Sequence, residues 1–273
     1  MTRYLVVPQW QGSPSSRAMQ LIDGAEAIAG DLPRSATTVL EVPAEAGEAL
    51  GTGVHRLSSL IRVRDRIADA LRGSAEPVLT IGGDCGVALA AVGHAAGLAP
   101  SVAVVWLDAH PDFNAPESSP SGAFAGMVLR AITGSGEPGL SLAHGVVPAS
   151  RVVIAGARSF DDPEIEAIER EGITTLGVDA LRDPDALADA VRATGADAVY
   201  VHVDVDVLDP AALAGNAHPE PFGLTVAELT AAIGRLRAVL PLVGASLTGY
   251  SPASPSAATD DLGALLRVVG ALA

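Results

Sequence analysis

The stretch from Ser101 to Asn114 constrains this chain more than any other. Val102 to Trp106 is an uncharged apolar run with three β-branched residues, the composition of a strand covered on both faces, and such strands sit mid-sheet in parallel α/β proteins. The run ends in acid. Asp108, His110 and Asp112 follow at two-residue spacing, so on an extended backbone all three side chains leave on one side. Carboxylate oxygen and imidazole nitrogen are ligands that suit manganese, iron or zinc. Taken alone, an Asp-x-His-x-Asp is equally well a solvated loop after a strand.

A second copy of the pattern tips the balance. Ala198 to Val203 is another apolar strand, and it runs into Asp204 and Asp206, again two apart. Ionised carboxylates at the end of a buried strand are costly to desolvate unless a dication neutralises them. Parallel strands all end on the same side, so both clusters fall at the carboxyl edge of one sheet, where such folds keep their sites. Five ligands are enough for two ions with shared carboxylates.

Composition enters here as a bound on the class. The chain has 273 residues, 49% of them apolar, enough for one large α/β domain over 1–273 with a substantial core. A net charge of −15 and the lack of any Lys/Arg-rich run argue against nucleic acid or an anionic membrane as a partner. The apolar runs are too short to span a bilayer, and the first residues are broken too early by Pro8 for a signal peptide, which points to a cytoplasmic protein. Cys85 is the single cysteine, so no intrachain disulfide forms.

Strand and helix patterns alternate along the chain. Strands are expected at Tyr4–Val7, Thr37–Val42, Pro77–Ile81, Val102–Trp106, Arg151–Gly156, Ile173–Val178, Ala198–Val203 and Leu242–Leu247. Helices are expected at 15–29, 55–71, from about Cys85, at 123–132, 163–171, 184–193, 226–239 and 259–272. Trp10, in the loop after the first strand, is expected to pack at the rim, His55 to lie at the surface or in a cap, and Asp209 to fix the turn before Pro210.

Three ordered motifs, Gly82-Gly-Asp-Cys85, Asp108-Ala-His-Pro-Asp112 and Asp204-Val-Asp-Val-Leu-Asp-Pro210, resemble those of the ureohydrolase (arginase and agmatinase) superfamily. The likeness in order and spacing runs over nearly the whole chain. It implies a three-layer α-β-α fold with an approximately eight-stranded parallel sheet, a small guanidino substrate, Mn2+, and a homo-oligomer, trimer or hexamer. It also implies that Asp108 and Asp204 bridge two ions, that His110 and Asp206 serve one, and that Asp112 serves the other and acts as the catalytic residue orienting the nucleophile. A guanidinium carbon is deactivated by resonance, and paired cations answer this by lowering the pKa of water toward neutrality. Asn114, Ser119, Ser121 and Asp161 fall on residues that hold an amino-acid tail in arginases, although Ser and Asn are also ordinary turn formers and Asp161 a helix cap.

Three departures from the family pattern bear on the chemistry. Cys85 stands where a histidine ligand is expected; as a soft thiolate it implies one firmly bound ion and a second that is weak, or Zn2+ or Fe2+ in place of Mn2+, unless it is only a small buried residue. Ala125 stands where a proton-shuttling histidine is expected. Gly249 replaces a glutamate that pairs with the guanidinium, and no replacement is identifiable, although Glu220 in the loop His218-Pro-Glu-Pro falls close to the site edge. The resemblance extends to Nω-hydroxyarginine hydrolases, whose less basic substrate loses less from the missing glutamate. Two functions therefore stand: a metal-dependent hydrolase of a guanidino or N-hydroxyguanidine compound, or a catalytically silent arginase-like protein that binds a metal or ligand.

Overall fold

The computed structural model describes residues 2–273. Its eight strands are β1 (Arg3–Val7), β2 (Thr37–Val39), β3 (Val78–Gly82), β4 (Val102–Leu107), β5 (Val152–Ala155), β6 (Thr174–Leu176), β7 (Ala198–Asp204) and β8 (Leu242–Thr248). They form one sheet in the order β2-β1-β3-β8-β7-β4-β5-β6, with every pairing parallel. The helices are α1 (Gln20–Gly30), α2 (Leu57–Leu71), α3 (Ala88–Ala95), α4 (Val128–Ile132), α5 (Asp162–Glu171), α6 (Val178–Leu181), α7 (Ala186–Ala193), α8 (Val226–Val239) and α9 (Pro255–Leu272).

Strand alternation builds two cores, one on each face. From β4, Val104 and Trp106 enter a core shared with α2, α3, α4 and α5, while Ala103, Val105 and Leu107 enter one shared with α1, α7, α8 and α9. The uncharged run at 102–106 is thus buried on both sides, as its composition implies, and the architecture is the expected three-layer α-β-α. None of the described helices is long and apolar enough to cross a membrane.

Local chemistry shifts several boundaries. Helix α1 begins at Gln20 and not at Ser15, because the hydroxyls of Ser13 and Ser15 accept from the amides of Ser15 and Arg17 and hold the segment in turns. Strand β2 ends at Val39, short of Pro43, on the sheet edge. The segment after β3 enters a short 3-10 turn, Cys85–Val87, capped by Asp84, whose carboxylate accepts from Gly86 N at 2.9 Å. The stretch from Phe124 to Met127 is also a 3-10 turn, leaving α4 only its last five residues.

Candidate active site

The carboxyl ends of the four central strands, β3, β8, β7 and β4, meet in one place, and each delivers a side chain or a backbone wall. β7 contributes Asp204, and the turns that follow the four strands add Cys85, Asp108, His110, Asp112, Asp206 and Gly249, all lining one cavity of about 150 Å³. That is room for a small polar molecule.

Alternation along an extended strand does not carry Asp112 into this cluster. β4 stops at Leu107, and Asp112 adopts φ 50, the left-handed region unusual for a residue with a side chain. Its carbonyl thereby accepts from Leu129 N at 3.0 Å and caps the start of α4. Strain of this kind persists where surrounding contacts over-determine it, as at active sites.

The acids are tied to one another and to backbone. Asp108 Oδ1 accepts from His110 N at 2.7 Å, Asp206 Oδ1 from Ala109 N at 2.8 Å, and Asp204 Oδ1 from Asp206 N at 3.0 Å. His110 Nδ1 lies 2.9 Å from Asp206 Oδ2 and 3.5 Å from Asp108 Oδ1, and its Nε2 faces Glu220 Oε1 at 3.8 Å. Asp204 Oδ2 accepts from Thr248 Oγ1 at 3.0 Å and from the Cys85 thiol at 3.1 Å. Asp112 Oδ2 is buried and has no partner.

Four nearly inaccessible carboxylates therefore have one closely paired imidazole, His110, and no lysine or arginine side chain lines the cavity. Burial pushes Asp204 up to about 7, helped by the Asp206 charge, and Asp206 up to about 6, helped by Asp108. Asp112 is raised well above the carboxylate range by burial and by the charges of Asp108 and Asp204, and Asp108 is raised by burial and by Asp204. Burial works against a charge on His110, but its bonds to Asp108 and Asp206 prevail and push it up to about 12. This is a site short of positive charge. The donor set, with an orphaned carboxylate oxygen aimed at nothing, fits a divalent cation. Two groups of ligand atoms lie within 4.8 Å of one another: Asp108, His110 and Asp206, and Cys85, Asp108 and His202.

Around the acids, Asn114, Ser121 and Asp161 line the cavity, whereas Ser119 lies in the neighbouring turn and accepts from Gly122 N at 3.1 Å. Asn114 Nδ2 donates to Asp161 Oδ2 at 2.8 Å, and Asp161 is the N-cap of α5. Asp161 is thus a helix cap and a residue of the cavity wall at once. Trp10 packs under the Arg56 guanidinium, away from the cavity, and His55 is exposed. Asp209 fixes its turn, accepting from Ala211 N and Phe222 N.

Sequence reasoning passed over three residues. Glu164 lines the cavity and accepts from Phe113 N at 2.8 Å and Asp161 N at 3.0 Å. His218 lines it too, with a buried Nε2 that has no partner. His202 is wholly buried behind Cys85 and Asp108. A lone histidine between valines, two residues before Asp204, was a legible signal for the last; nothing local marked the first two.

A parallel α/β sheet whose central strand ends converge on buried acids, an imidazole and a thiol defines an α/β protein with a metal-type ligand pocket. The Arginase family model matches residues 24–269, and this chain belongs to the arginase family. An arginase of Staphylococcus aureus (strain MRSA252) is 30% identical over 209 residues, 73% of this chain and 68% of that protein. An N(omega)-hydroxy-L-arginine amidinohydrolase of Streptomyces lavendulae is 29% identical over 214 residues, 77% of this chain and 74% of that protein. The crystal structure of Entamoeba histolytica arginase in complex with L-ornithine superposes with a TM-score of 0.87 at 21% identity, covering 99% of this chain and 97% of that one, a likeness of fold. These relatives are hydrolases of amidino C–N bonds.

Proposed function

We propose that this chain is a metal-dependent hydrolase of guanidino compounds that prefers a weakly basic one, such as an N-hydroxyguanidine, over arginine. The observation that carries the preference is Gly249. It offers no side chain to the cavity, and its backbone lies so close to Asp204 that an added Cβ would stand 2.1 Å from Oδ1. The neighbouring acids are engaged elsewhere: Glu164 by two backbone amides, Asp161 by Asn114, and Glu220 is turned toward His110. The similarity to an N(omega)-hydroxy-L-arginine amidinohydrolase supports the same reading.

Asp108, His110, Asp206, Asp204 and Asp112 are the residues that would hold the cation, with Mn2+ suiting their oxygen and nitrogen donors. When bound, it supplies a Lewis acid and lowers the pKa of water toward neutrality. Asp112 takes the proton of the attacking water as the new C–O bond forms, and returns it to the leaving nitrogen as the C–N bond breaks. The products are an amine and urea, or hydroxyurea from the N-hydroxy compound. Ala125 supplies no proton carrier; His218, which lines the same cavity, is an imidazole whose burial lowers its pKa and favours the neutral ring. Asn114, Ser121 and Asp161 line the same cavity, which supports a role for them in holding a polar substrate tail.

Losing a charge-assisted contact to the guanidinium costs about 1.5–3 kcal/mol, or roughly ten- to hundredfold in kcat/KM. Steady-state kinetics on arginine and Nω-hydroxyarginine at saturating Mn2+ test the proposal, with the hydroxylated substrate expected to be better by that factor. A higher kcat/KM for arginine overturns the preference, and turnover of neither leaves a silent, metal-binding member of the family.

A further inference from the structure

Position 85 lacks an imidazole, yet one stands directly behind it. His202 lies on β7 two residues before Asp204, hence on the same face of the sheet and one pleat deeper. Its ring stacks on Trp106 with centroids 3.6 Å apart and planes at 16°, and its Nδ1 lies 2.8 Å from Ser246 Oγ. In the tautomer whose Nδ1–H donates to that hydroxyl, the Nε2 lone pair faces the acids, which is how a partner on the far nitrogen orients a metal-bound histidine. Nε2 is 4.0 Å from Asp108 Oδ2 and 3.5 Å from Thr248 Oγ1. Cys85 Sγ is 3.9 Å from the same Asp108 oxygen and 3.1 Å from Asp204 Oδ2. Donors around a tetrahedral ion with bonds of about 2.0–2.3 Å are themselves roughly 3.3–3.8 Å apart. Cys85, Asp108 and His202, all within 4.8 Å of one another, reach that spacing by shifts of about an ångström or less. The unpartnered Oδ2 of buried Asp112 marks the same cavity floor as short of a cation.

We propose that Cys85 and His202, with the carboxylates of Asp108 and Asp204, form a thiolate–imidazole–carboxylate position that selects Zn2+, Co2+ or Fe2+, beside an oxygen-rich position at His110 and Asp206 that suits Mn2+. The histidine absent at position 85 is thus supplied by β7, one pleat below. A soft sulfur with imidazole and carboxylate is the donor set of borderline ions, and the Mn2+ preference of a His ligand among oxygens is lost. On binding, the S–metal bond forms as the S–H bond of Cys85 breaks, and the proton it shares with Asp204 leaves to solvent, with no change of oxidation state. The inference rests on the metal-dependent reading above and extends it to the identity of the second ion.

The test uses the full chain stripped of metal and titrated with Co2+ or Mn2+ alone. The expected result is a near-ultraviolet thiolate-to-cobalt absorption saturating at one ion per chain, abolished in Cys85→Ser. In His202→Gln, Co2+ affinity at this position falls by about tenfold or more, while Mn2+ binding is unchanged in both variants. Should His202→Gln not fold, NMR of the nitrogen-labelled imidazoles of the unmutated chain with Cd2+ decides: an ion at this position couples to an Nε2, whereas His110 faces its acids through Nδ1. A cobalt complex without the sulfur band, or Cd2+ coupled only to Nδ1, overturns the proposal. A sulfur band and Nε2 coupling in a chain that neither binds Mn2+ nor hydrolyses any guanidine supports this position and counts against the proposed function instead.

Discussion

Gly249 shows how much a single residue fixes at this site. It sits at φ 82, its amide donates to Gly83 O at 2.8 Å, and its Cα faces Asp204 at a distance no Cβ fits. The missing glutamate is therefore more than an absent charge, because the backbone has closed over the space that its Cβ would need. Gly249→Ala is expected to destabilise the fold by about 1–3 kcal/mol through the left-handed backbone and the clash together, and to weaken Mn2+ binding by displacing Asp204. Gly249→Glu is expected not to restore arginine turnover. Thermal unfolding and arginine kinetics on the two variants check this, and a gain in kcat/KM for arginine in Gly249→Glu would show that Asp204 yields.

Between elements, α5 acts as a brace for the turn that carries Asp112. The Glu164 carboxylate, one turn into the helix, accepts from Asp161 N at the helix start and from Phe113 N just after Asp112. Burial raises its pKa, opposed by those two amides. Removing the acceptor leaves both amides without a partner, at about 1–3 kcal/mol for each one orphaned in the interior. Glu164→Ala is accordingly expected to lower stability by that order and to reduce Mn2+ affinity about tenfold by loosening Asp112. Denaturant unfolding and calorimetric Mn2+ titration separate the two effects. Unchanged affinity in a destabilised variant would mean that Asp112 holds its left-handed turn without α5.

For the whole molecule, the acid cluster links metal binding to stability and pH. Asp204 and Asp206 have folded-state values of about 7 and about 6, above an ordinary 3.8. Groups raised on folding bind protons more tightly in the native state, so their contribution is fully present below about pH 4 and is lost as pH rises through 6 to 7. His110, raised to about 12, has the same sign: its contribution is full below about 6.5 and declines as pH rises above that. The metal-free protein should thus lose stability between pH 4 and 8, whereas a bound dication compensates the ionised acids. The increment in Tm on adding Mn2+ is expected to grow across that range. Scanning calorimetry with and without Mn2+ measures it directly, and a flat increment would remove these carboxylates from the metal site.

What the sequence by itself determined was whatever depends on near neighbours. Apolar runs such as 102–106 and 198–203 declare buried parallel strands, and acids at their ends declare the edge where a site forms, because pleat and strand direction follow from the local chain. Element boundaries shift where short-range side-chain bonds compete with the helix, as at Ser13 and Ser15 ahead of α1. Only the tertiary structure decided the strand order that brings β3, β8, β7 and β4 side by side. It alone set the left-handed turn at Asp112, the grip of Glu164 on Phe113 N, and the closure of Gly249 onto Asp204. His202 met Cys85 by the same route, across 117 residues of chain. Each of these is a contact between segments far apart in sequence, and no local pattern encodes which distant partner a side chain will find.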